Sequence, residues 1–139
     1  MSDEHPFYKL SDLINIYNEQ RNHLDIKGLQ DLRENISLNL FLMGDSAARA
    51  IANYDAKEYE RKRFYAEREE SYRNDVDTRT NKIYTVADSE RLARLDAKAI
   101  DEETVEALRQ KEKVRIILNA VNQILNSLAA RINQLASKQ

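Results

Sequence analysis

Apolar side chains recur at steps of three or four residues through most of the chain, a spacing that places them on one face of an α-helix. One such line begins after Gly28 and keeps its phase to the middle of the chain: Leu29, Leu32, Ile36, Leu40, Met43, Ala47, Ile51 and Tyr54. The clearest line lies in the C-terminal third: Val114, Ile117, Val121, Ile124, Leu128, Ile132 and Leu135. The pattern predicts an all-α protein with two long helices.

Start and stop signals give these helices their predicted ends. Thr85 is expected to cap a helix, with Asp88 completing a capping box. Gly44 is the weak point of the first long helix, because glycine costs about 1 kcal/mol in a helix interior. The apolar line nevertheless keeps its phase there and predicts a continuous helix. The predicted elements are a loose N-terminus over 1–10, a short helix over 11–22, a long helix over 29–73, a loop over 74–84, a helix over 86–100 and a C-terminal helix over 102–136.

These elements predict a single helical domain, residues 1–139, built as a long antiparallel helical hairpin braced by short helices. The apolar seams are narrow and long, as in a coiled coil. Two helices alone would leave much of that apolar surface partly exposed to solvent. We therefore expect a homo-oligomer. The expected oligomer interface follows the C-terminal helix: Val114, Ile117, Val121, Asn122, Ile124, Leu128 and Ile132.

Composition supports the helical interpretation and narrows the chemistry. The 139 residues include two glycines, one proline and no cysteine, and the net charge is −2. Few glycines and prolines suit long helices, and the absence of cysteine excludes disulfides and thiolate sites. The charge is uneven: residues 1–53 carry five basic and eight acidic groups, whereas 109–139 carry six basic groups and one acid. No signal peptide or apolar run of membrane-spanning length is present, so we expect a cytoplasmic protein.

Residues suited to catalysis or metal binding are nearly absent from the sequence. The two histidines, His5 and His23, lie far apart and have no patterned acid beside them. A solvated side chain at a helix end is the ordinary interpretation of His23. There is no Gly-rich phosphate loop and no serine nucleophile with a base placed by the pattern. We therefore predict no catalytic residue, no metal site, no cofactor and no enzymatic activity.

The second half of the first long helix carries the strongest candidate for a binding surface. A tyrosine–arginine stripe follows one helical face: Tyr54, Lys57, Arg61, Tyr65, Arg68 and Tyr72. The rings and cations fit either packing against another helix or a single strand of nucleic acid, in which rings stack on bases and cations meet phosphates. Neighbouring acids at i,i+4 spacing stabilise a solvated helix without any ligand, so they favour a structural role over nucleic-acid binding. The predicted nucleic-acid-binding residues are Lys57, Arg61, Lys62, Arg63, Tyr65, Arg68, Tyr72 and Arg73.

Two further features lie on the last helix. A polar line runs beside its apolar seam, within about 60° on a helical wheel: Arg115, Asn119, Asn122, Asn126 and Asn133. Asparagine is a poor helix former, so the line serves either an interface between subunits or contacts to phosphates and base edges. The basic run RQKEKVR over 109–115 spreads its charges around the helix, which is typical of a solvated turn or of long-range attraction for a polyanion.

The layout of residues 54–135 resembles UvsY-type recombination mediators encoded by tailed phages. The resemblance covers the basic-aromatic helix KEYERKRFYAEREESYR, the polar loop, the segment KIYTVAD and the terminal helix VRIILNAVNQILNSLAARI. It implies an all-helical oligomer that binds single-stranded DNA and helps to load a recombinase where a single-strand-binding protein sits. The basic positions that match are Lys57, Arg61, Lys62, Arg63 and Arg68. The acidic first 53 residues depart from the family's pattern.

The sequence therefore predicts a non-enzymatic phage-type accessory of DNA recombination or replication. Its partners would be single-stranded DNA, further copies of itself and a recombinase or single-strand-binding protein, in the cytoplasm of an infected bacterial host. A rival hypothesis is a helical protein-binding module, such as an inhibitor of a host nuclease or defence protein or an assembly factor. Its contact surface would be acidic: Asp101, Glu102, Glu103 and Glu106. A structural scaffold of a virion is a third hypothesis.

Overall fold

The computed structural model describes residues 6–138 and confirms an all-α protein with long helices. In chain order the elements are α1 (Pro6–Gln20), α2 (Ile26–Arg73), β1 (Val76–Asp77), β2 (Lys82–Ile83), α3 (Val86–Asp96) and α4 (Lys98–Ala136). Among these residues, no helix combines the length and apolar character that crossing a membrane would require.

Helix α1 begins earlier than the sequence predicted. Residues 6–10 are helical, whereas a loose segment was expected up to residue 10. Proline is tolerated in a first helical turn because its missing N–H would have no helical acceptor. Leu10 is completely buried, so this added turn is held by packing that periodicity alone did not show. Residues 1–5 of the predicted loose segment lie outside the described part of the chain.

Helix α2 runs without a break from Ile26 to Arg73, as predicted across Gly44. It starts three residues before the predicted position because Asp25 caps it. The Asp25 carboxylate accepts a hydrogen bond from the backbone N–H of Gly28 at 2.8 Å.

The predicted loop over 74–84 contains a very short antiparallel pair of strands. Val76 pairs with Ile83 and Asp77 with Lys82. Asn81 closes the turn with φ of 56°, a conformation that asparagine tolerates better than most residues. Two residues per strand are too few to show an alternating pattern, so no strand was predicted here.

Thr85 caps α3 as predicted, its hydroxyl accepting a hydrogen bond from the N–H of Asp88 at 3.1 Å. The junction between α3 and α4 is a single residue, Ala97. It lies before residue 101, which separates the two predicted helices and begins the acidic segment DEET (101–104). Ala97 is almost fully buried and its backbone N–H still bonds to Ala93 at 3.0 Å. Burial of small residues on both sides of the junction therefore overrides the local preference of the acids for a helix start.

The described residues divide into two compact units. The single domain expected over 1–139 stays a prediction. The first unit comprises the described residues up to Arg49 together with those from Glu112 onward. Three helices contribute to its core: Leu10 and Tyr17 from α1; Leu29, Leu32, Ile36 and Met43 from α2; Val121, Leu128 and Ile132 from α4. This core has the large aliphatic side chains of an ordinary helical bundle.

The second unit, Ala50–Lys111, is built around small side chains. Its buried residues are Asp77, Ser89, Ala93, Ala97, Thr104 and Ala107. Small residues allow helices to approach closely. Five aromatic residues of this unit are half-buried: Tyr54, Phe64, Tyr65, Tyr72 and Tyr84.

Candidate nucleic-acid interface

The tyrosine–arginine stripe of α2 faces the other helices of the second unit. Lys57 Nζ lies 3.1 Å from Glu103 Oε2 of α4, and this hydrogen bond raises the pKa of Lys57 above its usual value. Nearby, the Thr104 hydroxyl contacts the Lys57 carbonyl oxygen at 3.4 Å. The Nζ of Lys111 lies 4.6 Å from the centre of the Tyr54 ring, within range of a cation–π contact. These partners follow α4 in the direction opposite to α2, so the two segments are antiparallel.

Asp96, the last residue of α3, contacts the C-terminal end of the stripe on α2. The Tyr72 hydroxyl donates a hydrogen bond to Asp96 Oδ2 at 2.6 Å, and Arg68 Nε lies 3.5 Å from the same oxygen. The hydrogen bond to Asp96 raises the pKa of Tyr72. The Tyr72 ring also meets the Tyr84 ring edge to face, with centroids 5.8 Å apart. Tyr54, Lys57, Arg68 and Tyr72 of the stripe thus contact residues of α3 or α4, the kind of contact that the packing alternative predicts.

Arg61 is held mainly within its own helix. It forms a two-pronged hydrogen bond with Glu58, with Nη2 at 2.8 Å and Nε at 3.2 Å from the two carboxylate oxygens. This bond raises the pKa of Arg61 and lowers the pKa of Glu58. Asp101 of α4 adds a second carboxylate, 3.8 Å from Nη1.

The flanking cations of the predicted DNA site are also paired. Lys62 lies 3.6 Å from Glu58, Arg63 Nε lies 2.9 Å from Glu67, and Arg73 pairs with Glu69. All six predicted phosphate-binding cations therefore have a carboxylate partner: Lys57, Arg61, Lys62, Arg63, Arg68 and Arg73. A face whose cations alternate with acids presents little net positive charge to a polyanion.

The two predicted stacking rings, Tyr65 and Tyr72, are half-buried. A base needs an open ring face, which neither half-buried side chain fully offers. Tyr59, on the outer side of α2, is 68% exposed but was not among the predicted residues. The structure therefore does not bring together an open platform of rings and free cations on the stripe.

Most of the predicted oligomer interface is used inside the chain. Val121 and Leu128 are completely buried and Ile132 is 8% exposed, all in the core of the first unit. Val114, Ile117 and Ile124 are partly buried against that same core. A side chain with no accessible surface has nothing to offer a second copy, so Val121 and Leu128 are corrected from interface to core residues. Helix α1 packs on the α4 seam, which a hairpin of two helices would have left exposed to solvent.

Asn122, by contrast, is exposed, as are Asn119, Asn126 and Asn133. Arg115, at the N-terminal end of the same polar line, pairs with Glu112 at 2.6 Å. Within the described residues, the four asparagine side chains have no hydrogen-bond partner in the protein. From residue 113 to the end of the chain there is no aspartate or glutamate. We call these four asparagines the amide strip.

A groove lies beside the amide strip, between the end of α1 and the outer side of α4. Its volume is about 440 Å³, and its lining contains no acid: Tyr17, Arg21, Asn22, Ser127, Ala130, Arg131 and Gln134. The Arg21 guanidinium lies 5.8 Å from the centre of the Tyr17 ring. We call this the two-arginine groove.

The two arginines of the groove have no carboxylate partner within residues 6–138. Arg131 reaches Gln134 through Nη1 at 3.3 Å, but its Nε is buried and has no hydrogen-bond partner. An unpaired buried donor of a charged group carries a desolvation cost. Because two arginines without carboxylate partners line this groove and no acid does, the groove is suited to an oxyanion such as a phosphate group.

Arg21 and Arg131 were not among the predicted site residues. Each stands alone in its sequence neighbourhood, one at the end of α1 and one inside the C-terminal seam, so no cluster marked them. The signal that was available is the lack of acids after Glu112. Their approach depends on how α1 packs onto α4, and the predicted hairpin braced by short helices did not specify that packing.

The acidic surface of the rival protein-binding hypothesis is largely occupied by internal pairs. Asp101 and Glu103 contact cations of α2, and Glu106 pairs with Arg109 at 2.9 Å. Among the described residues there is no group of three histidine or acidic side chains able to hold a metal ion. His23 is exposed, and His5 lies outside the described range.

Comparison of the chain with protein-family models, with curated proteins and with solved structures finds no match.

Proposed function

We propose that this protein is a non-enzymatic accessory of DNA recombination or replication that binds single-stranded DNA through the amide strip and the two-arginine groove. The observation that carries the proposal is the contrast between two surfaces. On the stripe of α2 and beside it, every predicted phosphate-binding cation is paired with a carboxylate. The last 27 residues instead contain no acid, and they border a groove with two unpaired arginines.

Electrostatics favour the two-arginine groove over the stripe as the site of phosphate binding. A phosphate that approaches the stripe must compete with a carboxylate already bound to each cation. A phosphate that approaches Arg21 or Arg131 displaces only water and counterions, and counterion release is the main source of affinity for nucleic acids. The groove therefore supplies the phosphate contacts in this proposal.

The amide strip supplies contacts of a second kind. Each asparagine side chain offers two donors and one acceptor, which suit phosphate oxygens and the exposed edges of unpaired bases. The spacing along one helical face lets successive nucleotides of an extended strand meet successive side chains. Because open aromatic rings are absent from this face, we expect modest affinity for each copy and gain from several copies acting on one strand.

The proposal is tested by fluorescence anisotropy of a labelled single-stranded oligonucleotide at several salt concentrations. The test compares two variants that each change the net charge by −2. Asn122→Asp with Asn126→Asp places the new charge on the amide strip, and Arg63→Glu places it beside the stripe, among the predicted DNA-binding cations. All three side chains are exposed, so both variants should fold.

We expect the asparagine variant to lose about tenfold or more in affinity at low salt, and Arg63→Glu to lose less than about threefold. Arg21→Gln should reduce the slope of log affinity against log salt by about 0.7, the value for one phosphate contact on a single strand. A greater loss for Arg63→Glu would return the site to the stripe. No binding by the parent protein at low salt would overturn the proposal and favour the rival protein-binding module.

A further inference from the structure

The two-arginine groove combines two cations with two hydroxyl groups. Arg21 and Arg131 line it and have no carboxylate partner within residues 6–138. Tyr17 and Ser127 line it as well, and their hydroxyl groups have no hydrogen-bond partner in that part of the chain. An internal phosphodiester has a single negative charge. A phosphate monoester has three acceptor oxygens and a charge of about −1.5 to −2 at pH 7, so it matches this set of groups more closely.

Acidic side chains do not oppose the two arginines. None lines the groove, and none follows Glu112 in the sequence. Glu19 of α1 is two residues from Arg21, which places it on the opposite side of that helix. Asp25, after the end of α1, accepts a hydrogen bond from the backbone N–H of Gly28 at 2.8 Å. A doubly charged ligand in the groove would therefore meet cations without a competing carboxylate.

The groove lies at the C-terminal end of the amide strip. Arg131 and Gln134 line it, next to Asn133, and α4 ends at Ala136. The strip begins at Asn119, about 18 Å before Arg131 at 1.5 Å per residue. A strand that lies along the strip therefore reaches the groove where the helix ends. This position suits the terminal nucleotide of a strand.

We propose that the two-arginine groove binds a phosphate monoester at the end of a single strand in preference to an internal phosphodiester. Guanidinium groups recognise phosphate oxygens through paired, charge-assisted hydrogen bonds. The groove volume of about 440 Å³ falls within the range of about 300–1,000 Å³ typical of small-molecule sites, which leaves room for the terminal nucleoside. This inference rests on the proposed function, because it concerns the same groove.

The test is fluorescence anisotropy of the full chain with one single-stranded oligonucleotide in three forms. The first has hydroxyl groups at both ends, the second a 5′-phosphate and the third a 3′-phosphate, and the fluorophore is attached to an internal base. We expect a phosphate at one end to raise the affinity about tenfold, the usual gain from hydrogen bonds between charged groups. The phosphate at the other end adds the same charge outside the groove and should change the affinity less than about twofold.

Arginine variants show whether the gain arises in the groove. Arg21→Gln and Arg131→Gln should each remove it, whereas Arg21→Lys keeps the charge without the paired donors and should retain only part of it. Arg33→Gln is the matched control, because Arg33 is an exposed arginine of the same unit without an ion-pair partner among the described residues. Circular dichroism checks that each variant folds. If Arg131→Gln does not fold, Arg21→Gln decides the test, since Arg21 is exposed.

The outcomes separate this inference from the proposed function. If the hydroxyl-ended strand binds but terminal phosphates add nothing, add equally at both ends, or still add in Arg21→Gln, the inference is overturned and the proposed function stands. If no strand binds at low salt, both are overturned. Calorimetry with deoxyadenosine 5′-monophosphate, against deoxyadenosine, then identifies the source of the phosphate. Binding of the monophosphate alone, lost in Arg21→Gln, would assign the groove to a free nucleotide instead of a strand end.

Discussion

At the scale of single residues, Tyr72 fits both a nucleic-acid-binding face and a contact between helices. In the sequence it is a ring next to cations, as in a nucleic-acid-binding face. In the structure its hydroxyl donates a hydrogen bond to Asp96 and its ring lies against Tyr84. Residue type and helical spacing located the stripe correctly but did not identify what it faces. That depended on the carboxylates of α3 and α4, which lie more than 20 residues away in the sequence.

The Tyr72 hydrogen bond gives a pH-dependent prediction. Tyr72→Phe should lower the free energy of unfolding by about 1 kcal/mol at neutral pH, a modest value for a bond to a charged group because solvent reaches the pair. The raised pKa of Tyr72 means that this contribution is complete below about pH 10, the usual value, and is lost as pH rises through the folded-state pKa. The stability gap between parent and variant should therefore close in strong base.

Urea denaturation of parent and variant between neutral pH and pH values above 10 measures that gap. Tyr59→Phe is the matched control, since its ring is 68% exposed. A gap that persists unchanged in strong base would mean that the Phe variant loses packing and not the hydrogen bond.

At the scale of elements, the long helices were predictable and their short neighbours less so. The apolar lines located α2 and most of α4, and the capping box located the start of α3. Three features were missed: the first turn of α1, the two-residue strands and the junction at Ala97. Each depends on tertiary burial or on a segment too short to show a period, so local sequence does not encode it.

Gly44 offers a direct test of the continuous α2 helix. A Cβ atom built on Gly44 would meet nothing within 4 Å. Gly44→Ala should therefore stabilise the protein by about 1 kcal/mol, the difference in helix propensity. Gly28→Ala is the comparison: its Cβ would lie 3.1 Å from Leu24 and Asp25 side-chain atoms, so we expect no such gain. Thermal denaturation measures both, and destabilisation by Gly44→Ala would show that the helix bends there.

At the scale of the whole molecule, the distribution of charge matters more than its total of −2. In the sequence, no aspartate or glutamate follows Glu112. The cations are denser on and beside the stripe, and the DNA-binding site was therefore predicted there. The structure places a carboxylate beside each of those cations and leaves Arg21 and Arg131 unpaired. Which charges are neutralised depends on helix packing. The sequence alone could therefore show only that residues 113–139 lack acids, and not that Arg21 and Arg131 line one groove.

The surface that binds single-stranded DNA is located most directly by a nuclear magnetic resonance titration of isotope-labelled protein with a short single-stranded oligonucleotide. It reports the backbone and asparagine side-chain amides together, so it locates the binding surface without any substitution. We predict shifts concentrated in residues 113–138 and at the end of α1, including the side-chain amides of the strip. Shifts concentrated in residues 54–73, or none at low salt, would contradict the account.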